Sequence, residues 1–124
     1  MIVHTILYVA DQQKSAEFYS KVLDLKPTLD VPGMTEFKLT EGHILGLMPE
    51  AGIKKLLGEA LPDPAKASGI PRVELYIRVN NPEIYFDRSK ALGAKELSAI
   101  AARPWGGKAG YVIDRDGHVL AFAT

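Results

Sequence analysis

Apolar and polar positions alternate along Val3–Val9 (VHTILYV) and again along Val73–Val79 (VELYIRV). A two-residue period predicts strands whose side chains point alternately to opposite faces of a sheet. Each strand leads through a polar turn into an amphipathic segment. In the first, Phe18, Tyr19, Val22 and Leu23 share one side of a helix predicted over Lys14–Leu23, with Asp11 or Ser15 as its N-cap. In the second, Pro82 suits the opening position of a helix over Pro82–Leu92 and Gly93 its end. Strands are predicted at Ile2–Val9, Leu25–Val31, Met34–Leu39 and His43–Met48, then at Lys95–Ala101, Ala109–Ile113 and Val119–Ala123. Pro27 marks Leu25–Val31 as an edge strand. Both copies close with a Gly-His pair and an apolar strand, at Gly42-His43 and at Gly117-His118.

The chain therefore says the same thing twice. A repeat of this kind implies two βαβββ units that each need a neighbour to bury an apolar face. The expected fold class is α+β, a curved mixed sheet around a cleft with helices on the outer face. We expect one domain over residues 1–124, with unit 1 at about 1–48, a linker at 49–72 and unit 2 at 73–124. Within the linker, Ile53–Leu57 reads as a helical turn and Leu61–Gly69 as an exposed connection.

Composition removes several functions. Fifteen Lys and Arg balance fifteen Asp and Glu, so nucleic acid and anionic membrane lose their electrostatic basis as partners. The chain has no Cys, which excludes disulfides, thiolate metal sites and Cys nucleophiles. No apolar run reaches spanning length and no export signal is read, so a cytoplasmic soluble domain is expected. Neither a Gly-rich phosphate loop nor a serine elbow is present.

Alternation also sorts the candidate chemistry. Val3, Thr5, Leu7 and Val9 form one row of the first strand, and Val73, Leu75, Ile77 and Val79 one row of the repeated strand. These rows belong under the helices. The opposite rows carry His4 and Tyr8, and Glu74, Tyr76 and Arg78, which suit a ligand-bearing face rather than a dry core. In the closing strands Ile44, Gly46 and Met48, and Val119, Ala121 and Ala123, join that face, where Gly46 and Ala121 are expected to leave room. The loop Arg103-Pro104-Trp105-Gly106-Gly107 and Tyr111 complete the candidates. A Trp beside an Arg suits a planar or anionic ligand; a core anchor for Trp105 and a surface salt bridge for Arg103 are the structural alternatives. His43 and His118 belong to hairpin architecture, and Asp114–Asp116 to a turn.

On the segments His4–Asp11, Phe18–Leu23 and Gly110–His118, the chain resembles the vicinal oxygen chelate superfamily: glyoxalase I, extradiol dioxygenases, and fosfomycin- and bleomycin-resistance proteins. The resemblance covers nearly the whole chain and implies a homodimer, with the Trp105 loop at the mouth of a cleft. It also implies that metal-dependent relatives draw four ligands from positions matching His4, Gly46, Glu74 and Ala121. Gly46 and Ala121 carry no donor, and about three protein ligands are needed to hold a catalytic metal. No tightly bound cofactor is therefore expected, as in bleomycin-binding relatives.

His4 and Glu74 are repeat equivalents and the catalytic candidates. They read either as a His–carboxylate pair moving a proton or as a polar remnant of a lost metal site. The preferred function is binding of a small planar or polar organic molecule, with Tyr8, Gly46, Met48, Tyr76, Arg78, Arg103, Trp105 and Tyr111 as contacts. The alternative is a lyase or dioxygenase using His4 and Glu74 with a divalent metal. A regulatory or dimerisation module with a vestigial cleft is the third reading.

Overall fold

The computed structural model describes residues 1–124 as two compact units, Met1–Ser68 and Gly69–Thr124. Each unit carries a four-stranded mixed sheet. No helix is long and apolar enough to cross a membrane.

In the first unit, β1 (Val3–Val9), α1 (Gln12–Leu23), β2 (Leu29–Val31), β3 (Met34–Thr40) and β4 (His43–Pro49) follow in order. The sheet runs β1-β4-β3-β2, with β1 parallel to β4 and the other pairs antiparallel. Leu7, Val9, Phe37, Leu45 and Leu47 on the inner face and Tyr19, Val22 and Leu23 of α1 are buried. Phe18 is half-buried and meets the Tyr19 ring edge-on, 5.1 Å between centroids.

The boundaries moved where local hydrogen bonds outweigh periodicity. The helix starts at Gln12 because the Asp11 carboxylate accepts from Lys14 N at 3.0 Å and caps the first turn. Only Leu29–Val31 of the strand expected at Leu25–Val31 pairs with β3. Pro27 lacks an N–H, and regular bonding to Glu36 O begins with Thr28 N at 2.8 Å. The Gln12 side chain then fixes this edge: it donates to Val31 O and Thr35 Oγ1 and accepts from Gly33 N. The turn expected at Ile53–Leu57 is a longer helix, α2 (Glu50–Leu57), that continues from β4 and buries Ile53. The stretch expected as open linker holds a 3-10 turn, Pro64–Ala67, capped by Asp63.

The second unit repeats the plan with β5 (Glu74–Arg78), α3 (Pro82–Ala91), β6 (Lys95–Ala102), β7 (Lys108–Ile113) and β8 (Val119–Ala123), in sheet order β5-β8-β7-β6. The duplication is visible in the register. Pairs His4↔Ile44, Ile6↔Gly46 and Tyr8↔Met48 recur as Glu74↔Val119, Tyr76↔Ala121 and Arg78↔Ala123. Helix α3 lies close on Gly110 of β7, where a Cβ would sit 2.9 Å from Phe86 Cδ2 and 2.5 Å from Ile100 Cγ1. The closing turn is held by Asp114, whose Oδ1 accepts from Asp116 N and His118 N and whose Oδ2 meets His118 Nδ1 at 2.8 Å. Gly117 there adopts φ 96°, a conformation glycine takes without strain. His43 Nε2 in turn meets Thr5 Oγ1 at 2.7 Å. Both hairpin histidines thus serve architecture.

Candidate functional site

The candidate residues fall into one set in each unit. In the first, His4, Ile6 and Tyr8 of β1 lie exposed on the face opposite α1, with Gly46 and Met48 beside them in register. The room expected over Gly46 is taken. A Cβ there would approach Ile6 Cγ1 at 3.1 Å and Met34 Sδ at 3.2 Å, so these two side chains lean across the glycine.

His4 has a carboxylate neighbour within its own unit. Its Nδ1 lies 3.9 Å from Oε1 of Glu36, a residue that the sequence reading passed over. Glu36 pairs with Gly46 across β3 and β4. It therefore stands one strand away from Gly46, one of the four ligand positions that the resemblance implies. The alternation Met34, Glu36, Lys38 along β3 was the signal that could have found it.

The second unit assembles a fuller set. Glu74, Tyr76 and Arg78 alternate along β5 and lie exposed on the face opposite α3. Tyr76 pairs with Ala121, which pairs with Tyr111, so two phenols flank a fully buried alanine. Ala121, like Gly46, is therefore covered rather than open. The loop after β6 returns over this face, closed by Arg103 N to Gly107 O and Gly106 N to Arg103 O, both 3.1 Å.

Arg103 anchors the loop. Its Nε and Nη2 donate to Ala109 O at 3.0 and 2.7 Å, and Nη2 also reaches Ser98 Oγ and Ala99 O. The guanidinium lies 5.1 Å from the centre of the Tyr111 ring. The surface salt bridge expected as the structural alternative for Arg103 is corrected: it forms no carboxylate pair, and its Nε and Nη2 bond the chain itself while Nη1 takes no part in these bonds. Trp105 remains 62% exposed, and its Nε1–H donates to the Tyr76 hydroxyl at 3.0 Å. It is not a core anchor.

Burial pushes the Tyr111 phenol above its ordinary range. Negative charge at Glu74 and Tyr76 adds to this, and Arg103 pulls the other way. Tyr111 is thus kept as a neutral hydroxyl beside a pinned cation, suited to hydrogen bonding. Glu74 and Arg78 enter no ion pair or side-chain hydrogen bond with the chain, unlike Lys90, held by Glu96, and Lys108, held by Glu83.

The four metal-ligand positions implied by the resemblance divide as His4 and Gly46 in one unit, Glu74 and Ala121 in the other. Each unit offers one donor there in place of two. Ile6 and Met34 fill the space where a donor on Gly46 would stand, and Ala121 is fully buried. The residues present do not fit that ligand set.

A fold with two such units on this topology defines a class, and comparison with known proteins agrees. The sequence profile of the Glyoxalase/Bleomycin resistance protein/Dioxygenase superfamily matches residues 1–122. The chain belongs to this superfamily. A glyoxalase-related enzyme from Fulvimarina pelagi superposes with a TM-score of 0.82 at 24% identity, over 99% of this chain and 86% of the other. A glyoxalase/bleomycin resistance protein/dioxygenase from Nocardioides gives 0.78 at 23% identity, over 99% and 82%. A family enzyme from Burkholderia phytofirmans PsJN gives 0.80 at 14% identity, over 97% and 94%. At these identities the solved structures bear on the fold alone. No curated protein matched the sequence.

Proposed function

We propose that this chain is a member of its superfamily that binds a small planar organic molecule without a resident metal. One observation carries the reading. An exposed indole, Trp105, is held by hydrogen bond to an exposed phenol, Tyr76, on a sheet face that also carries Tyr111 and two uncommitted charges, Glu74 and Arg78. Aromatic side chains fixed at an open surface offer stacking area at low ordering cost, and nearby charge orients a polar substituent. The incomplete donor set supports the metal-free form.

The open face of the first unit, described by itself, carries His4, Glu36, Tyr8 and Met48. That unit also exposes Ile2, Val3, Ile6, Leu29 and Val31, which supports a second copy of the chain as partner.

Trp105 is the single tryptophan, so its emission reports the site directly. Titration with a panel of planar aromatic acids, planar aromatic amines and bleomycin should quench or shift that emission for at least one compound, and Trp105→Ala should abolish binding of the same compound by calorimetry. Metal analysis of the purified protein should find far less than one transition-metal ion per chain. A stoichiometric metal, or ligand binding that survives Trp105→Ala unchanged, overturns the reading.

A further inference from the structure

We propose that the open face of the second unit selects an elongated planar molecule with a positive charge at one end and a negative charge at the other. The inference rests on the binding role assigned to that face and adds the class of ligand. Glu74, Tyr76 and Arg78 are successive same-face residues of β5. At about 3.3 Å per residue their outer members stand roughly 13 Å apart along the strand, with Tyr76 midway. Trp105 is bonded to that central phenol. Aromatic surface therefore lies between two opposite charges, neither of which has a partner within the chain.

Other features sharpen the polarity. Arg78 pairs with Ala123 and Ala123 with Ala109, and the Ala109 carbonyl is where the Arg103 guanidinium is pinned. Since it also meets Ser98 and the Tyr111 ring, which share the Tyr76 row, the Arg103 cation lies between the central row and the Arg78 row. A depression of about 330 Å³ opens at the Arg78 end, lined by Arg78, Val79, Asn80 and Thr124. The guanidinium and the Asn80 amide give it donors for a carboxylate. At the other end, Glu74 aligns in register with Val119, Ile113 and, three strands away on the far edge, Lys95. At roughly 4.8 Å per strand Lys95 is about 14 Å off, and exposed Arg72, two residues before Glu74, forms no ion pair with it. The Glu74 end accepts a cation, the Arg78 end an anion, and a rigid ring system spans the distance.

The test is calorimetric titration of the full chain with three probes at one ionic strength: 6-amidino-2-naphthoate, 2-naphthoate and 2-naphthamidine. The zwitterion should bind at least tenfold tighter than either singly charged probe. Glu74→Gln should remove its advantage over 2-naphthoate, and Arg78→Gln its advantage over 2-naphthamidine. Both side chains are exposed and unpartnered, so these variants keep the fold, checked by circular dichroism. The double reversal Glu74→Arg with Arg78→Glu should restore the zwitterion preference, since the ligand can turn end for end. Equal affinity of the wild type for all three probes, or a zwitterion preference untouched by either single variant, overturns the polarity while leaving the aromatic face standing. Failure of all three to bind, with Trp105 emission unmoved, overturns both.

Discussion

The indole Nε1–H of Trp105 donates to the hydroxyl oxygen of Tyr76 at 3.0 Å, joining a loop to a strand 29 residues away in sequence. Both rings are exposed, so the bond orients the indole more than it stabilises the fold. Tyr76→Phe keeps the ring and removes the acceptor. We expect stability to change by less than about 1 kcal/mol, while Trp105 emission moves to longer wavelength and acrylamide quenching increases. Unchanged emission and quenching would show that the phenol does not hold the indole in solution.

Arg103 should behave in the opposite manner, as a structural clamp. Its guanidinium serves Ala109 O twice, Ser98 Oγ and Ala99 O, and lies over Tyr111. A lysine cannot reproduce this planar fork. Arg103→Lys should lower unfolding stability by about 1.5–3 kcal/mol, the usual worth of hydrogen bonds to a charged group. The urea midpoint measures it, and a midpoint within error of wild type would refute the clamp.

These two residues show how far a sequence carries. The repeat, the strand faces and the helix positions follow from periodicity, because burial of one face in each unit enforces it. The same alternation keeps His4, Tyr8, Glu74, Tyr76 and Arg78 out of the core, and all five are exposed. What periodicity cannot supply is the destination of a long side chain. Nothing in Arg103-Pro104-Trp105 tells that the arginine turns back onto carbonyls while the tryptophan stays outside; that depends on the bulges of β6 and the loop closed by Gly107. The neighbour of His4 escaped for a related reason. Glu36 comes from β3, and only the β3–β4 register sets it opposite Gly46. Helix α2 was underestimated because it starts directly at the end of a strand, with Pro49 at a cap position that makes no side-chain bond.

Tyr111 gives a pH dependence with a definite sign. Burial, then Glu74 and Tyr76, raise its folded pKa above the value of about 10 expected in the unfolded chain. Above that pH the unfolded chain releases the proton first and the native state still holds it. Stability from this group is therefore complete below about pH 10, and is lost as pH rises from there through the folded pKa. Absorbance near 295 nm should show one tyrosine ionising late, and Glu74→Gln should bring it back toward the ordinary range. A titration that Glu74→Gln leaves unaltered would disprove the electrostatic link between these two side chains.

Two glycines should respond differently to the same substitution. At Gly110 an added Cβ would lie 2.5 Å from Ile100 Cγ1 and 2.9 Å from Phe86 Cδ2, beneath α3 where the sheet and helix are packed. Overfilling such a site costs about 1–3 kcal/mol. At Gly46 the nearest atoms are Ile6 Cγ1 at 3.1 Å and Met34 Sδ at 3.2 Å. Ile6 is exposed and Met34 half-buried on the open face, and a methionine side chain has low-energy alternatives. Replacing a strand glycine with alanine also recovers roughly 0.5–1 kcal/mol of backbone entropy. Gly46→Ala should therefore stay within about 1 kcal/mol of wild type in denaturant unfolding, and Gly110→Ala should be clearly weaker. Equal losses would mean that Ile6 and Met34 are locked over Gly46 as firmly as the core, and that this face is a rigid packed surface unable to adjust to a ligand.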